Sequence, residues 1–320
     1  MSHSPYLQYA NAQQRVEAVV SRLFPSADTR VERVWSGIST YVYRILSQCR
    51  TYYLRILPDT EGSFTPEIAA LTHLRQLHIK VPEVLSFEEH NETLGRSLMI
   101  ETEIKGQALS HTSFPREVLE RVVVEAGRDL ARINTLMVDG FGWIQPQQIS
   151  AERRLRARWP TFRAFALEYR KADLVYLRRR LLKPWESRQL ERILERYDSW
   201  LDGEQSYLAH GDFDSTHIFQ DRGRYTGVID FGEVRGANRW YDLAHFRIRD
   251  GARPPYQLFP ALERGYKEIT PFPPEYEQHL RFTSILINIR ALSRAFQTRA
   301  PDQYIWHQLD VLREDLTALA

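Results

Sequence analysis

Two aspartates at the polar ends of short apolar runs constrain this chain more than any other feature. Tyr207-Leu-Ala209 leads into His210-Gly-Asp212, and Ile218-Phe219 follows after a short gap. Asp221-Arg-Gly223 reads as a hairpin turn, and Val228-Ile229 as a buried strand that ends at Asp230. A loop bearing Asp212 is therefore expected next to a hairpin whose far end bears Asp230, with His217, a candidate metal ligand, between them. Phosphoryl transfer needs such closeness, because metal ions bridge nucleotide phosphates while an acceptor hydroxyl lies in line with the phosphorus. A purely structural role, bonding a tight turn, suits His210 better than it suits the pair of aspartates.

The same residues resemble the aminoglycoside phosphotransferase and choline kinase group, which shares the protein-kinase-like fold. The pattern of that group is His-Gly-Asp, a short spacer, usually Asn, then a strand ending Ile-Asp-Trp or Ile-Asp-Phe. The matching residues are His210, Gly211, Asp212, Ile229, Asp230 and Phe231. The resemblance implies that Asp212 is the catalytic aspartate and that Asp230 is a magnesium ligand. It also implies that Asp242, in Trp240-Tyr-Asp-Leu-Ala244, is the structural aspartate opening the next helix, and that His210 orients the loop. The chain departs from the pattern at the usual Asn, which is His217; the macrolide phosphotransferase branch is similar in carrying His there. An imidazole nitrogen ligates divalent ions, though it suits softer metals than magnesium.

The resemblance further implies an α+β, two-lobed fold, with a small, mainly antiparallel β N-lobe over residues 1–104 that binds nucleotide. A larger, mainly helical C-lobe over residues 105–320 carries the catalytic loop and the acceptor-binding helices. The expected cofactors are ATP or GTP and Mg2+, and the expected partner is a small molecule with a hydroxyl group.

Composition fits such a protein. The 320 residues allow one long domain or two modest ones, and a hydrophobic share of 43% is ample for a core. The formal net charge of +2 gives no global electrostatic case for nucleic acid or a membrane surface. The single cysteine, Cys49, excludes an internal disulfide and suits a reducing cytoplasm. Met1-Ser-His-Ser-Pro-Tyr6 lacks the basic start and apolar core of a signal peptide. No apolar run is long enough to span a bilayer. A cytoplasmic monomer or homodimer is the expectation.

In the first lobe, Val31–Trp35, Tyr41–Leu46 and Thr51–Leu57 read as strands. Val81–Leu85 and Arg96–Thr102 read as two more. The Ser36-Gly-Ile-Ser-Thr40 turn is the candidate phosphate-covering loop. Gly37 allows close approach to phosphate oxygens, and Ser36, Ser39 and Thr40 add hydroxyl donors. Arg55 sits mid-strand, where a kinase-like fold places a cation for nucleotide phosphates, and Arg binds phosphate bidentately. Glu67 opens a helix with apolar residues at Ile68, Leu71, Leu74 and Leu77, and is the expected ion-pair partner of Arg55. The resemblance places the hinge near Glu101 to Gly106, with Glu101 and Thr102 as its candidate binding residues, where adenine is expected to meet backbone.

In the second lobe, Glu117–Met137 has helical period, as do Arg188–Trp200, Leu258–Lys267, Tyr276–Thr298 and Ile305–Leu319. Residues 151–180 combine arginines with Leu155, Trp159, Phe162 and Tyr169 at helical spacing. This reads as an amphipathic helix with a wet Arg face rather than a nucleic-acid surface. Acidic and basic residues in the acceptor-side helices are roughly balanced, which argues against a polycationic acceptor. Two other readings stand beside the kinase. One is a catalytically weak or inactive nucleotide-binding protein on the same fold. The other is a metal hydrolase using His210, Asp212, His217 and Asp230.

Overall fold

The computed structural model describes residues 9–320, apart from 36–39, 147–154, 204, 253 and 256, with side chains from residue 13. The chain separates into two compact units. One comprises Met1–Arg75 with Val81–Ile104, the other Gln76–Lys80 with Lys105–Ala320.

The smaller unit begins with helix α1 (Tyr9–Leu23) and continues through strands β1 (Arg30–Val34), β2 (Tyr41–Ser47) and β3 (Arg50–Ile56). Helix α2 (Thr65–Gln76) and strands β4 (Val84–Asn91) and β5 (Arg96–Thr102) complete it. The strands form one antiparallel sheet in the order β1-β2-β3-β5-β4. The β2–β3 hairpin turns at Gln48 and Cys49, both at positive φ, as a two-residue hairpin loop matched to strand twist requires. Alternation along the strands sorts side chains between faces. Tyr43, Ile45, Leu54, Ile56, Leu98 and Ile100 form a buried cluster with Val16, Val19 and Val20 of α1. Arg55, between Leu54 and Ile56, faces the other way. The strand expected over Val81–Leu85 instead runs Val84–Asn91, because Pro82 has no N–H to donate to a ladder.

The larger unit opens with a short strand, β6 (Gln107–Ala108), and the long helix α3 (Arg116–Ile133). Strands β7 (Phe141–Ile144) and β8 (Ala157–Trp159) follow, then helices α4 (Phe162–Leu167), α5 (Arg170–Arg180) and α6 (Pro184–Arg196). Next come β9 (Tyr207–Ala209), β10 (Ile218–Asp221), β11 (Arg224–Val228) and β12 (Arg235–Ala237). Helices α7 (Tyr241–Arg249), α8 (Phe259–Ile269), α9 (Tyr276–Thr298) and α10 (Gln303–Ala318) end the chain. The strands make two small sheets, β11-β10-β6 and β8-β7-β12-β9. Leu190, Ile193, Ile285, Ile289, Leu292, Leu309 and Leu312 anchor the main helical core. Helices α3 and α8 pack nearly backbone to backbone: a Cβ on Gly265 would stand 1.9 Å from Val124 O.

Of the single amphipathic helix expected over residues 151–180, residues 151–154 lie outside the described residues and 155–180 differ from it. Leu155 and Trp159 precede the helices, and Trp159 pairs with Phe141 across β7 and β8. Pro160 explains the break, since it pushes the residue before it out of helical backbone. Thr161 then caps α4 by accepting from Ala164 N at 3.1 Å. The arginines here hold ion pairs, Arg163 with Asp198 and Asp202 and Arg178 with Glu191.

Candidate active site

In the smaller unit, Arg55 is buried and donates to Glu67 of α2, with Glu101 Oε2 at 3.9 Å. Phe64 lies under the guanidinium, 5.5 Å from its ring centroid. The expected Arg–Glu pair is thus formed, and Glu101 stands beside it. Thr102 is tied to the chain before β4. Its N–H donates to Glu83 O at 2.9 Å, and its hydroxyl accepts from Glu83 N at 2.9 Å. Thr40 is buried at the start of β2. Ser36, Gly37 and Ser39 lie outside the described residues. A buried pair is costly to halve, because the remaining charge keeps its desolvation penalty. Glu67→Gln should lower unfolding stability by about 3 kcal/mol, the low end for such a loss, since Glu101 stays nearby. Urea denaturation checks this; a change under about 1 kcal/mol would mean that the pair is not stabilising there.

In the larger unit, β9 delivers the chain to His210, and the following loop is held mainly through backbone. Asp242, in the first turn of α7, is fully buried; it accepts from His210 N and Gly211 N at 2.9 Å each and from Asn134 Nδ2 at 3.0 Å. The His210 ring bridges to the chain just beyond β11: Nε2–H donates to Ile229 O at 3.0 Å, and Nδ1 accepts from Asp212 N at 3.3 Å. Burial, then the neighbouring His217, lowers the His210 pKa, which suits a neutral ring with this one tautomer. Gly211 has φ 88° and its missing Cβ would lie 2.0 Å from Glu233 O, so no side chain fits. Asp242→Ala would strand three buried donors at about 1–3 kcal/mol each. We expect a loss of about 3–5 kcal/mol in urea denaturation; near-wild-type stability would contradict this role.

The β10–β11 hairpin turns at Arg222 and Gly223, both at positive φ. Beyond β11 the chain reaches Asp230, whose φ of 64° and ψ of 68° are left-handed, a conformation Asp tolerates better than most residues. This backbone turns Asp230 out of the strand and into the short helical turn Phe231–Glu233.

One imidazole touches both acidic residues. His217 Nδ1–H donates to Asp212 O at 2.8 Å, and Nε2 lies 3.6 Å from Asp230 Oδ2. Burial opposes charge on His217, but Asp214, Asp230 and Asp212 outweigh it and raise its pKa. Burial likewise works to raise the Asp212 pKa, yet His245 and Arg249, with His217 and His210, hold it below the ordinary carboxylate value. Asp212 is therefore ionised at neutral pH. Sequence reasoning did not single out Arg249 and His245. Arg249 Nη2 donates to Asp212 Oδ1 at 3.1 Å, and His245 Nε2 is 3.4 Å from the same oxygen. The signal was present: Asp242, His245 and Arg249 recur on one face of α7.

His217 Nε2 and Asp230 Oδ2 lie 3.6 Å apart, and both are atoms able to donate to a metal ion. Among the described residues no group of three or more His, Cys, Asp or Glu side chains could hold a metal alone. Mg2+ needs only one or two side chains, since phosphates and water complete its shell, so the donor set of Asp230 with His217 would suffice for it. That donor set does not fit the hydrolase alternative, whose His210 already uses both ring nitrogens.

The larger unit thus holds a loop carboxylate and, just past a strand, a second carboxylate with an imidazole beside it, and the smaller unit holds a buried Arg–Glu pair on a five-stranded sheet. The chain belongs to the phosphotransferase enzyme family, whose model matches residues 30–279. Over 178 residues it is 27% identical to the hygromycin-B 4-O-kinase of Escherichia coli. That match covers 54% of this chain and 49% of the relative, so the chain spans about half the length of the curated relative it matches. The structure of aminoglycoside phosphotransferase APH(4)-Ia has a TM-score of 0.70 at 22% identity, covering 96% of this chain and 99% of the other. A thermostable mutant of that enzyme, in ternary complex with ADP and hygromycin B, gives 0.69 at 20% identity over 95% of this chain and 98% of the other. The GDP complex of an aminoglycoside 2'-phosphotransferase-IIIa variant gives 0.63 at 15% identity, covering 95% and 97%. These likenesses establish the kinase-like α+β fold.

Proposed function

We propose that the protein transfers the γ-phosphate of ATP or GTP to a hydroxyl of a small molecule, with Mg2+. The reading is carried by His217, which contacts both Asp212 and Asp230. Asp212 orients the acceptor hydroxyl and takes its proton. Asp230, with His217 Nε2, holds the metal, whose contribution when bound is to neutralise charge on the phosphates. Residues 1–104 serve the nucleotide: Arg55 neutralises phosphate charge, fixed by Glu67, while Ser36, Gly37, Ser39 and Thr40 cover the phosphates and Glu101 and Thr102 mark the hinge. Residues 105–320 carry the catalytic loop and the acceptor helices.

Hygromycin B, on which the curated relative acts by name, enters the acceptor panel even though the charge balance of the acceptor-side helices argues against a polycationic acceptor. Macrolides, amino alcohols and sugars complete the panel. Nucleic acid and membranes are not proposed partners; no helix among the described residues is long and apolar enough to cross a membrane. A cytoplasmic monomer or homodimer suits this role.

The test is transfer of γ-labelled phosphate from ATP and GTP to that panel, alongside thermal shift with magnesium nucleotide. Labelled product supports the kinase. His217 in the usual Asn position favours a second reading, a weak or inactive nucleotide-binding protein. Nucleotide stabilisation without transfer to any acceptor or to water would favour it instead.

A further inference from the structure

Arg249, the last residue of α7, stands directly against the loop carboxylate. The face of α7 that carries Asp242, His245 and Arg249 serves the loop twice. Asp242 holds its backbone at His210 and Gly211, and the other two residues meet the Asp212 side chain. Both meet Oδ1; no described residue hydrogen-bonds Oδ2.

The two groups on Oδ1 are not equivalent. His245 is buried, and burial, then the charge of Arg249, pushes its pKa down to about 4. A neutral ring has one N–H for two acceptors, Phe213 O at 3.3 Å and Asp212 Oδ1 at 3.4 Å. Arg249 keeps its charge at any working pH and is a donor throughout. Its guanidinium also lies 4.9 Å from the Tyr304 ring centroid. Its Nε is buried with no hydrogen-bond partner among the described residues, an arrangement that costs stability rather than adding to it. The one hydrogen bond its guanidinium makes among the described residues is the one to Asp212 Oδ1.

We propose that Arg249 is a positioning residue: it fixes the Asp212 carboxylate by occupying Oδ1, so that Oδ2 is the oxygen presented to the acceptor. This rests on Asp212 being the catalytic carboxylate. Orientation accounts for much of the rate in a phosphoryl transfer with a loose transition state, so loss of the grip should appear in turnover and not in nucleotide binding.

The experiment follows MgATP hydrolysis, with water as the acceptor, in wild type, Asp212→Asn, Arg249→Ala and Arg249→Lys. Arg249→Ala should lower kcat about 10- to 100-fold while the KM for MgATP stays within about twofold. Arg249→Lys should recover part of the loss. Low added guanidinium should raise the rate of Arg249→Ala and leave wild type unaffected, a response that a merely structural role would not give. Wild-type kcat in Arg249→Ala, or a loss seen only in KM and deaf to guanidinium, overturns the proposal. If Arg249→Ala does not fold, Arg249→Gln carries the same comparison. Hydrolysis equal in wild type and Asp212→Asn instead overturns the catalytic reading of Asp212, and the assignment of Arg249 falls with it; where wild type hydrolyses too slowly to follow, transfer to the acceptor found in the panel carries the same comparison.

Discussion

Asp212→Asn should lower kcat about 10²- to 10⁴-fold, the range for removing a positioned general base, which corresponds to about 3–5 kcal/mol of barrier. The nucleotide KM should move little. Asparagine keeps the shape of the side chain but cannot accept a proton, and it presents a weaker acceptor to Arg249. The fold should survive, because the loop is pinned by Asp242 to the backbone of His210 and Gly211 and by the His210 ring to Ile229, not by the Asp212 carboxylate. Steady-state kinetics on the best acceptor, with a melting curve as control, check both halves. Turnover within about threefold of wild type would remove Asp212 from the proposed proton transfer.

Asp230→Asn should weaken nucleotide binding in the presence of Mg2+ by about 100-fold or more, which is about 2.8 kcal/mol. Binding without metal should change far less. The amide keeps a neutral oxygen beside His217 but loses the charge that holds a hard dication. Asparagine is the informative replacement, because it tolerates the left-handed backbone seen at Asp230, so a folding defect does not intrude. Alanine there would mix metal loss with backbone strain. Titration calorimetry with AMP-PNP, with and without Mg2+, separates the effects; equal affinity in wild type and variant under both conditions would contradict the metal role.

The parts of this molecule that were legible in sequence are those written locally. His210, Gly211 and Asp212 at the end of one apolar run, and Ile229, Asp230 and Phe231 at the end of another, carried the resemblance that the family match and the kinase-like fold confirm. The first lobe was legible for the same reason, since alternation along β3 separates Arg55 from the apolar face. What was not legible depends on tertiary contact. Arg249 and His245 reach Asp212 from a helix well beyond the motif, and only their spacing from Asp242 hinted at a shared face. The stripe over 151–180 misled for a physical reason: a helical interval between Leu155, Trp159 and Phe162 persists as numbers even where Pro160 breaks the backbone. Glu101, a hinge residue by its place in the sequence, also brings its carboxylate near Arg55, because β3 and β5 pair Tyr53 with Glu101 in register.

Whether Asp230 and His217 hold the metal of a bound nucleotide is decided by a crystal structure of the protein with Mg2+ and AMP-PNP. The expected result is an ion held by the Asp230 carboxylate and His217 Nε2 beside the nucleotide, with the γ-phosphate facing Oδ2 of Asp212. A nucleotide bound with its metal elsewhere, or with its γ-phosphate turned away from Asp212, would contradict it.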